Sequence, residues 1–274
     1  MVFYQGANPH HALQNQKISH LFATPSTLLH LLKAPADSLS RRDDLRLLVT
    51  GGALPKVLLE SAQARLTRRI FAVLASTEAL TISVTPIETV EDLYWHRVHP
   101  QREVQVVDDT GKPLPVGAVG LIRIRILDGV DGYLDAPETS HRFFSNGYFY
   151  PGDLGAYAAD GRLSLHGRAT DVINMLGNKI PSAPIEQSLQ DSLGVSGVCV
   201  FSMPSVTGEE EAHVAIECAT PISRHTVEPL LKKALGKGFL NVRCHFIAQL
   251  PRNHMGKIQR VILQKQITAK RNSR

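Results

Sequence analysis

Residues 45–79, LRLLVTGGALPKVLLESAQARLTRRIFAVLASTEA, constrain the fold more than any other stretch. LRLLV is a near-continuous apolar run closed by Gly51 and Gly52. A run without in–out alternation belongs to a strand buried on both faces, the usual state of a parallel sheet. KVLLESAQARL then reads as an amphipathic helix, and RIFAVLASTEA is a second buried strand that ends in a small-polar turn. Strand–helix–strand units of this kind build a doubly wound α/β sheet, whose ligands sit beyond the carboxyl ends of the strands. TGGALP (50–55) and ASTE (75–78) both fall at that edge. Upstream, ISHLFATPSTLLHLLKA predicts a short strand. A helix should follow, capped by Thr24 or Ser26 and carrying Leu28, Leu29, Leu31 and Leu32.

From about Thr89 the pattern changes. REVQVVDDTGKPLPVGAVGLIRIRIL alternates by twos and contains DDTG, a hairpin-type turn. Arg123 and Arg125 should face one way, and Ile122, Ile124 and Ile126 the other. This predicts an antiparallel sheet or small barrel, continued by short strands in GYFYPGDLGAYAADGRLSLHGR with a turn at Asp160–Gly161. After Gly167–Arg168 the pattern changes again. APIEQSLQDSL and TVEPLLKKALG read as helices, the second ending at Gly236. VSGVCVFSMP, EEAHVAIECA and VRCHFIAQLP read as strands, and KIQRVILQKQI as a closing helix. This stretch has an apolar pattern of its own and is expected to form a second domain.

Composition narrows the function. The 274 residues are 43% hydrophobic and 20% charged, an ordinary globular balance. No apolar run reaches the roughly 18 residues of a membrane span, and MVFYQGANPH lacks the basic-then-apolar order of a secretory signal. The net charge of +5 comes with scattered basic groups not interleaved with aromatics. Solvated helix faces account for them better than a nucleic-acid surface. The three cysteines, Cys199, Cys218 and Cys244, have no metal-type spacing, and the twelve histidines form no HExxH pattern. A cytoplasmic location is the default expectation.

Six short motifs then occur in a fixed order: TGGALP, ASTE, YPGDLG (150–155), GRATDVINMLGNKI (167–180), MPSVTGE (203–209) and LPRNHMGKIQR (250–260). Each alone is weak, but the ordered set is specific. It resembles the adenylate-forming ligases, which include acyl- and aryl-CoA synthetases, luciferases and the adenylation domains of peptide synthetases. The resemblance runs from about Ile18 to the end, and LPRN-x-MGKIQ is most like the malonyl-CoA and related acyl-CoA synthetases.

The resemblance implies a mixed α/β fold. It comprises the rear part of a large adenylating domain (1–167), with parallel strand–helix units plus an antiparallel barrel-like sheet. A hinge (168–171) and a small mobile α+β C-terminal domain (172–274) follow. It implies that a carboxylic acid reacts with ATP to give an acyl-adenylate, and that CoA or a carrier-protein thiol then displaces AMP. Lys257 would be the catalytic lysine, a compact mobile charge bridging carboxylate, α-phosphate and ribose, and Gly256 would let its loop approach closely. Asp153 would accept both ribose hydroxyls, with Arg168 also reaching the ribose. Gly52, Ala53 and Leu54 would line the adenine by their backbone, and Thr77 would face the α-phosphate. Glu78 would help hold Mg2+, a hard cation that takes oxygen ligands. Thr170 would be the hinge, and Gly177 would border the pantetheine tunnel.

The chain also departs from the pattern. The Ser/Thr/Gly-rich phosphate loop ending in Pro-Lys does not occur between Met1 and Thr50, and no GxxxxGK occurs anywhere. An unpaired sheet edge is therefore expected, and a polypeptide supplying the other half is one implied partner. Leu74 and Ala75 stand where an aromatic and a glycine are usual, so adenine loses a π surface. The family's GEL appears as Gly120-Leu121-Ile122, its TGD as Pro151-Gly152-Asp153, and TGGALP is one residue shorter than usual. Two readings follow. One is an adenylating enzyme, weak or inactive alone. The other is a non-catalytic nucleotide- or acyl-binding or regulatory remnant.

Overall fold

The computed structural model describes residues 13, 18–35, 38–126, 130–175, 178–205, 210–220, 222–235, 242–253 and 256–272. The apolar runs become parallel neighbours: β1 (His20–Ala23), β2 (Arg46–Val49) and β3 (Ile70–Ser76). α1 (Pro25–Leu32) and α2 (Lys56–Arg65) are the crossovers. Thr24, not Ser26, caps α1, its hydroxyl accepting the Thr27 N–H at 3.1 Å. Pro25 follows in the first turn, where a missing N–H is harmless. Leu28, Leu31 and Leu32 of α1 share a core with Leu58, Leu59 and Ala62 of α2 and with Leu47, Val49 and Ile70 beneath them.

β4 (Leu80–Pro86) adds antiparallel to β3, giving the order β1-β2-β3-β4. Strand order follows chain order, so both helices fall on one face and pack against each other. This corrects the doubly wound expectation: among the described residues helices cover one face of this sheet. On the other face Phe22, Leu48 and Phe71 stand side by side in register. Phe22 is 64% exposed, and Val84 on β4 is 46% exposed. β1 pairs only with β2 among the described residues, which is the expected open edge.

The alternating segment forms a seven-stranded antiparallel sheet of β5 (Trp95–His96), β6 (Val104–Val107), β7 (Gly120–Arg125), β8 (Phe144–Ser145), β9 (Tyr148–Phe149), β10 (Asp153–Tyr157) and β11 (Leu163–Arg168). Ile122 and Ile124 are buried as their alternation predicts. The Arg123 and Arg125 guanidiniums lie 4.2 and 5.1 Å from the centre of the Tyr148 ring. The DDTG turn closes through Asp108, whose carboxylate accepts N–H groups of Thr110 and Lys112. A short helix, α3 (Pro137–Phe143), precedes β8.

Past Arg168 come a hairpin of β12 (Val172–Met175) and β13 (Asn178–Pro181), then α4 (Ser182–Leu193). The last sheet is β14 (Gly197–Pro204), β15 (Glu210–Glu217) and β16 (Val242–Ile247), with α5 (Arg224–Leu235) and α6 (Arg260–Asn272). α5 begins before the expected Thr226; its expected end, Gly236, lies outside the described residues. One face of β14 and β15 (Val198, Val200, Val214, Ile216) packs on α4 and α5, and the other (Cys199, Phe201, Ala215) on Leu263 and Ile267 of α6. Burial on both sides explains why GVCVF is apolar without alternation. Among the described residues, no buried core cluster joins those before Arg168 with those after it.

An open apolar edge favours pairing between copies. Phe22→Lys should lower the associated fraction at tens of micromolar in light scattering and change stability by less than about 0.5 kcal/mol, as an exposed site would. An unchanged associated fraction would show that β1 is not the contact.

Candidate functional site

The site is built on the β10–β11 ladder. Asp153 opens β10, Arg168 closes β11, and the register sets them directly opposite. Arg168 Nε meets Asp153 Oδ1 at 2.8 Å, and Arg168 Nη1 donates to the Pro151 carbonyl. Burial pushes the Asp153 carboxyl above its usual range. The charges of Arg168 and Lys257 pull against that shift, and Asp171 adds to it. Lys257, remote in sequence, is thus electrostatically coupled to Asp153.

Lys257 reaches this place on a small hairpin. Arg252 and Ile258 form an antiparallel bridge. The Lys257 N–H donates to Asn253 Oδ1 at 2.9 Å, and the Asn253 N–H donates to the Lys257 carbonyl at 2.9 Å. Glu217 anchors the base, its Oε2 accepting the Leu250 N–H at 2.9 Å and meeting Arg252 at 3.3 Å. Gly256 has φ +79°, and a Cβ there would lie 2.2 Å from Ser26 Cβ in α1. The loop therefore docks on the start of α1, and only glycine fits.

TGGALP meets the same helix start. A Cβ on Gly51 would touch Thr24 at 3.5 Å, and one on Gly52 would touch Pro25 at 3.7 Å. Gly52 and Ala53 are exposed, whereas Leu54 turns its side chain into the core at 5% exposure and anchors the loop. Thr77 is exposed in the turn after β3, where the Ala79 N–H donates to Ser76 Oγ at 3.0 Å.

Glu78, in that turn, accepts the Tyr133 hydroxyl at 2.6 Å. Burial pushes the Glu78 carboxyl up, but the Tyr133 and Ser76 hydroxyls, its own backbone and the Arg168 charge outweigh this and hold it below the usual range. Burial, then Glu78, push the Tyr133 hydroxyl up to about 12. Glu78 thus presents one ionised carboxylate with Oε1 engaged. That fits a Mg2+ ion keeping several waters and taking its other ligands from substrate phosphates.

Thr170 is exposed in a tight turn in which the Ala169 N–H donates to the Gly152 carbonyl at 2.8 Å and the Asp171 N–H to the Arg168 carbonyl at 3.0 Å. Gly177 lies outside the described residues. The structure thus pairs Asp153 with Arg168, with the charges of Arg168 and Lys257 acting on Glu78 and Asp153 respectively, and it brings TGGALP and the Gly256 loop to the same end of α1. Thr77 joins this group through the chain, as the neighbour of Glu78 in the turn after β3.

Sequence reasoning missed Tyr133, for which no local signal exists because its partner is a distant carboxylate. It missed Ser26 as the docking contact, and Arg260, which takes Asp171 at 2.8 Å and Glu186 at 2.7 Å. The adjacency of Asp171 to Thr170 and of Arg260 to the lysine loop was the one hint. Together these groups can accept hydrogen bonds from hydroxyls on a carboxylate, hold anions with a guanidinium, and bring an ammonium to a developing charge.

The sequence pattern of the AMP-binding enzyme family matches residues 1–134. The chain is similar to the putative acyl–CoA ligase YdaB of Bacillus subtilis, 28% identical over 97% of this chain and 54% of that protein. It is 29% identical to the medium-chain fatty-acid–CoA ligase of Escherichia coli over 90% of this chain and 45% of that one. The amide bond synthetase McbA from Marinactinospora thermotolerans superposes with TM-score 0.80 at 25% identity, over 94% of this chain and 54% of that one. ATP-bound MatB from Rhodopseudomonas palustris shares the fold, with TM-score 0.80 at 22% identity over 94% and 52%. The chain spans about half the length of the curated relatives it matches. The chain thus carries the AMP-binding enzyme pattern over residues 1–134, and it is similar in sequence, fold and motif order to adenylate-forming ligases.

Proposed function

We propose that this chain carries the nucleoside and catalytic-lysine side of an acyl-CoA synthetase-type adenylating ligase. The observations that support this best are the Asp153–Arg168 ion pair and the close docking of the Gly256–Lys257 loop on the start of α1, across the two parts of the chain. In the first half-reaction a carboxylate oxygen attacks the α-phosphorus of ATP and pyrophosphate leaves. Asp153 accepts the ribose hydroxyls, Arg168 holds that carboxylate and reaches the ribose, and Lys257 offsets charge on the reacting carboxylate and α-phosphate. Gly52, Ala53 and Leu54 line the adenine by their backbone, and Thr77 faces the α-phosphate. Glu78 would hold Mg2+, which neutralises phosphate charge when bound. In the second half-reaction a thiolate, of CoA or a carrier protein, attacks the acyl carbonyl and AMP leaves. Residues 172–274 turn about Thr170 between the two steps, bringing Gly177 to the thiol channel.

No Ser/Thr/Gly-rich loop ending in Pro-Lys, of the kind that cradles β- and γ-phosphates, occurs between Met1 and Thr50. We assign its donors to polypeptide outside this sequence, on a longer chain or a partner, which makes the chain weak or inactive alone. The lost adenine-stacking aromatic at Leu74 favours a second reading, a non-catalytic nucleotide-binding remnant.

AMP titration of the chain by calorimetry tests the nucleoside side. Asp153→Asn should weaken AMP binding about 10- to 100-fold, the worth of hydrogen bonds to a charged acceptor. Binding of wild type and variant with equal affinity would end the assignment. Asp153 is held above the usual carboxylate range, so AMP affinity should fall as pH drops through a midpoint above the ordinary aspartate value. Arg168→Met should move that midpoint higher still, because Arg168 pulls it down.

ATP–pyrophosphate exchange by the 274-residue chain alone should stay near background; robust exchange would refute the assignment of the phosphate cradle elsewhere. In an adenylation-competent preparation, Lys257→Ala should depress adenylation at least about 100-fold while leaving thiol transfer from preformed acyl-adenylate nearly intact. Equal losses in both steps would remove the lysine from the proposed role. No loss in either, with AMP still bound, would favour the remnant.

A further inference from the structure

The lysine hairpin ends at Arg260, the first residue of α6. Its guanidinium is half-buried and ties three separate segments together. Nη1 meets Asp171 Oδ2 at 2.8 Å, and Nη2 meets Glu186 Oε1 at 2.7 Å and Ser182 Oγ at 3.1 Å. Glu186 is itself fixed, since Oε1 also accepts the Val200 N–H at 2.8 Å. Asp171 is fixed by its backbone: its N–H donates to Arg168 and its carbonyl accepts the Ser182 N–H at 3.2 Å. The planar fork of arginine suits a site with acceptors on two sides. A lysine would keep the charge but lose the simultaneous contacts.

The hairpin is thus held at both feet. The Leu250–Arg252 foot rests on Glu217 of β15, inside the last sheet. The Arg260 foot rests on the residue next to Thr170 and on α4. The tip needs that support, because Gly256 docks on Ser26 with no room for even a methyl group. A tip displaced by about 1 Å would lose the approach, and displacements of that size cost about 100-fold in positioned reactions.

We propose that Arg260 is a positioning residue, a latch that fastens the Lys257 hairpin to the Thr170–Asp171 turn so that lysine and hinge move as one rigid unit. The consequence for catalysis rests on the proposed roles of Lys257 and Thr170; the latch itself rests on the contacts above.

Hydrogen exchange read by mass spectrometry on the full chain tests it without any turnover. Asp171→Ala and Arg260→Lys should each speed exchange of the peptide spanning residues 250–260 about tenfold, as a locally opened segment does, while β14 and β15 keep wild-type protection. Arg260→Met strands a buried Glu186 and endangers folding, so the paired change Arg260→Met with Glu186→Gln removes both charges and should reproduce the same local rise. Unchanged hairpin exchange in Asp171→Ala and Arg260→Lys overturns the latch. So does a rise spread equally over β14 and β15, which a merely structural residue would give. In an adenylation-competent preparation, Arg260→Lys should slow adenylation about 10- to 100-fold and change thiol transfer from preformed acyl-adenylate less than about twofold. Normal adenylation in Lys257→Ala would defeat the role of the lysine and leave the exchange result standing. Unchanged exchange would defeat the latch and leave the lysine's role standing.

Discussion

The pairing of β10 with β11 is the constraint on which the site depends. It sets Asp153 against Arg168, and a one-residue slip would send one of them to the opposite face. The register is not plain: it shifts between Leu154 and Gly155. A Cβ on Gly155 would lie 2.6 Å from the Ser164 carbonyl and 2.7 Å from Ile122 Cδ1. The irregularity is therefore held by a residue without a side chain, and irregularities of this kind commonly re-aim side chains beside sites. The same arginine acts on Glu78 in the turn after β3, so one ladder end links the parallel sheet, the antiparallel sheet and the start of the last unit.

Much of this frame is legible in the sequence where burial is one-dimensional. LRLLV and IFAV announce neighbouring parallel strands, though only one face of them is covered among the described residues, Thr24-Pro25 announces a helix start, and GVCVF announces a strand covered on both faces. The pairs brought together by tertiary structure are not legible. β4 is invisible in the sequence because Ser83 and Thr85 are fully buried, inverting the expected pattern. Their hydroxyls are satisfied by His96 Nδ1 at 3.2 Å and the Arg97 N–H at 2.9 Å, partners on another strand and its flank. α3 buries no residue, so it carries no apolar stripe to read. Arg260 looks like a solvated first-turn cation until Asp171 and Glu186 arrive from far along the chain.

The site motifs are legible as an ordered set, but their spatial logic is not. Sequence order says nothing about why Gly256 must be glycine; the contact with Ser26 does. Gly167 carries a second such contact. Its φ is +88°, and a Cβ there would lie 2.7 Å from Ala183 Cβ. Both glycines sit where residues after Arg168 approach residues before it, and Tyr94 adds a hydroxyl bond to Asp191 at the same seam. The seam thus rests on close backbone approach and a few polar bonds rather than on a shared core, as an interface that opens and closes would require.

That seam couples docking to protonation. Burial disfavours the Asp153 carboxylate, and Lys257 relieves part of that cost when its loop sits on α1. Reciprocity then requires an ionised Asp153 to favour the docked loop by the same free energy by which docking favours ionisation. On the proposed domain rotation, Asp153 would have a lower pKa with the loop docked than with it withdrawn. Its help to docking is therefore full above the withdrawn-state pKa and is lost as pH falls through the docked-state value. A ligand that needs the carboxylate as an acceptor pushes the same way as the lysine. On the proposed roles, nucleoside binding and loop closure should therefore reinforce each other through Asp153, whose negative charge both of them would use.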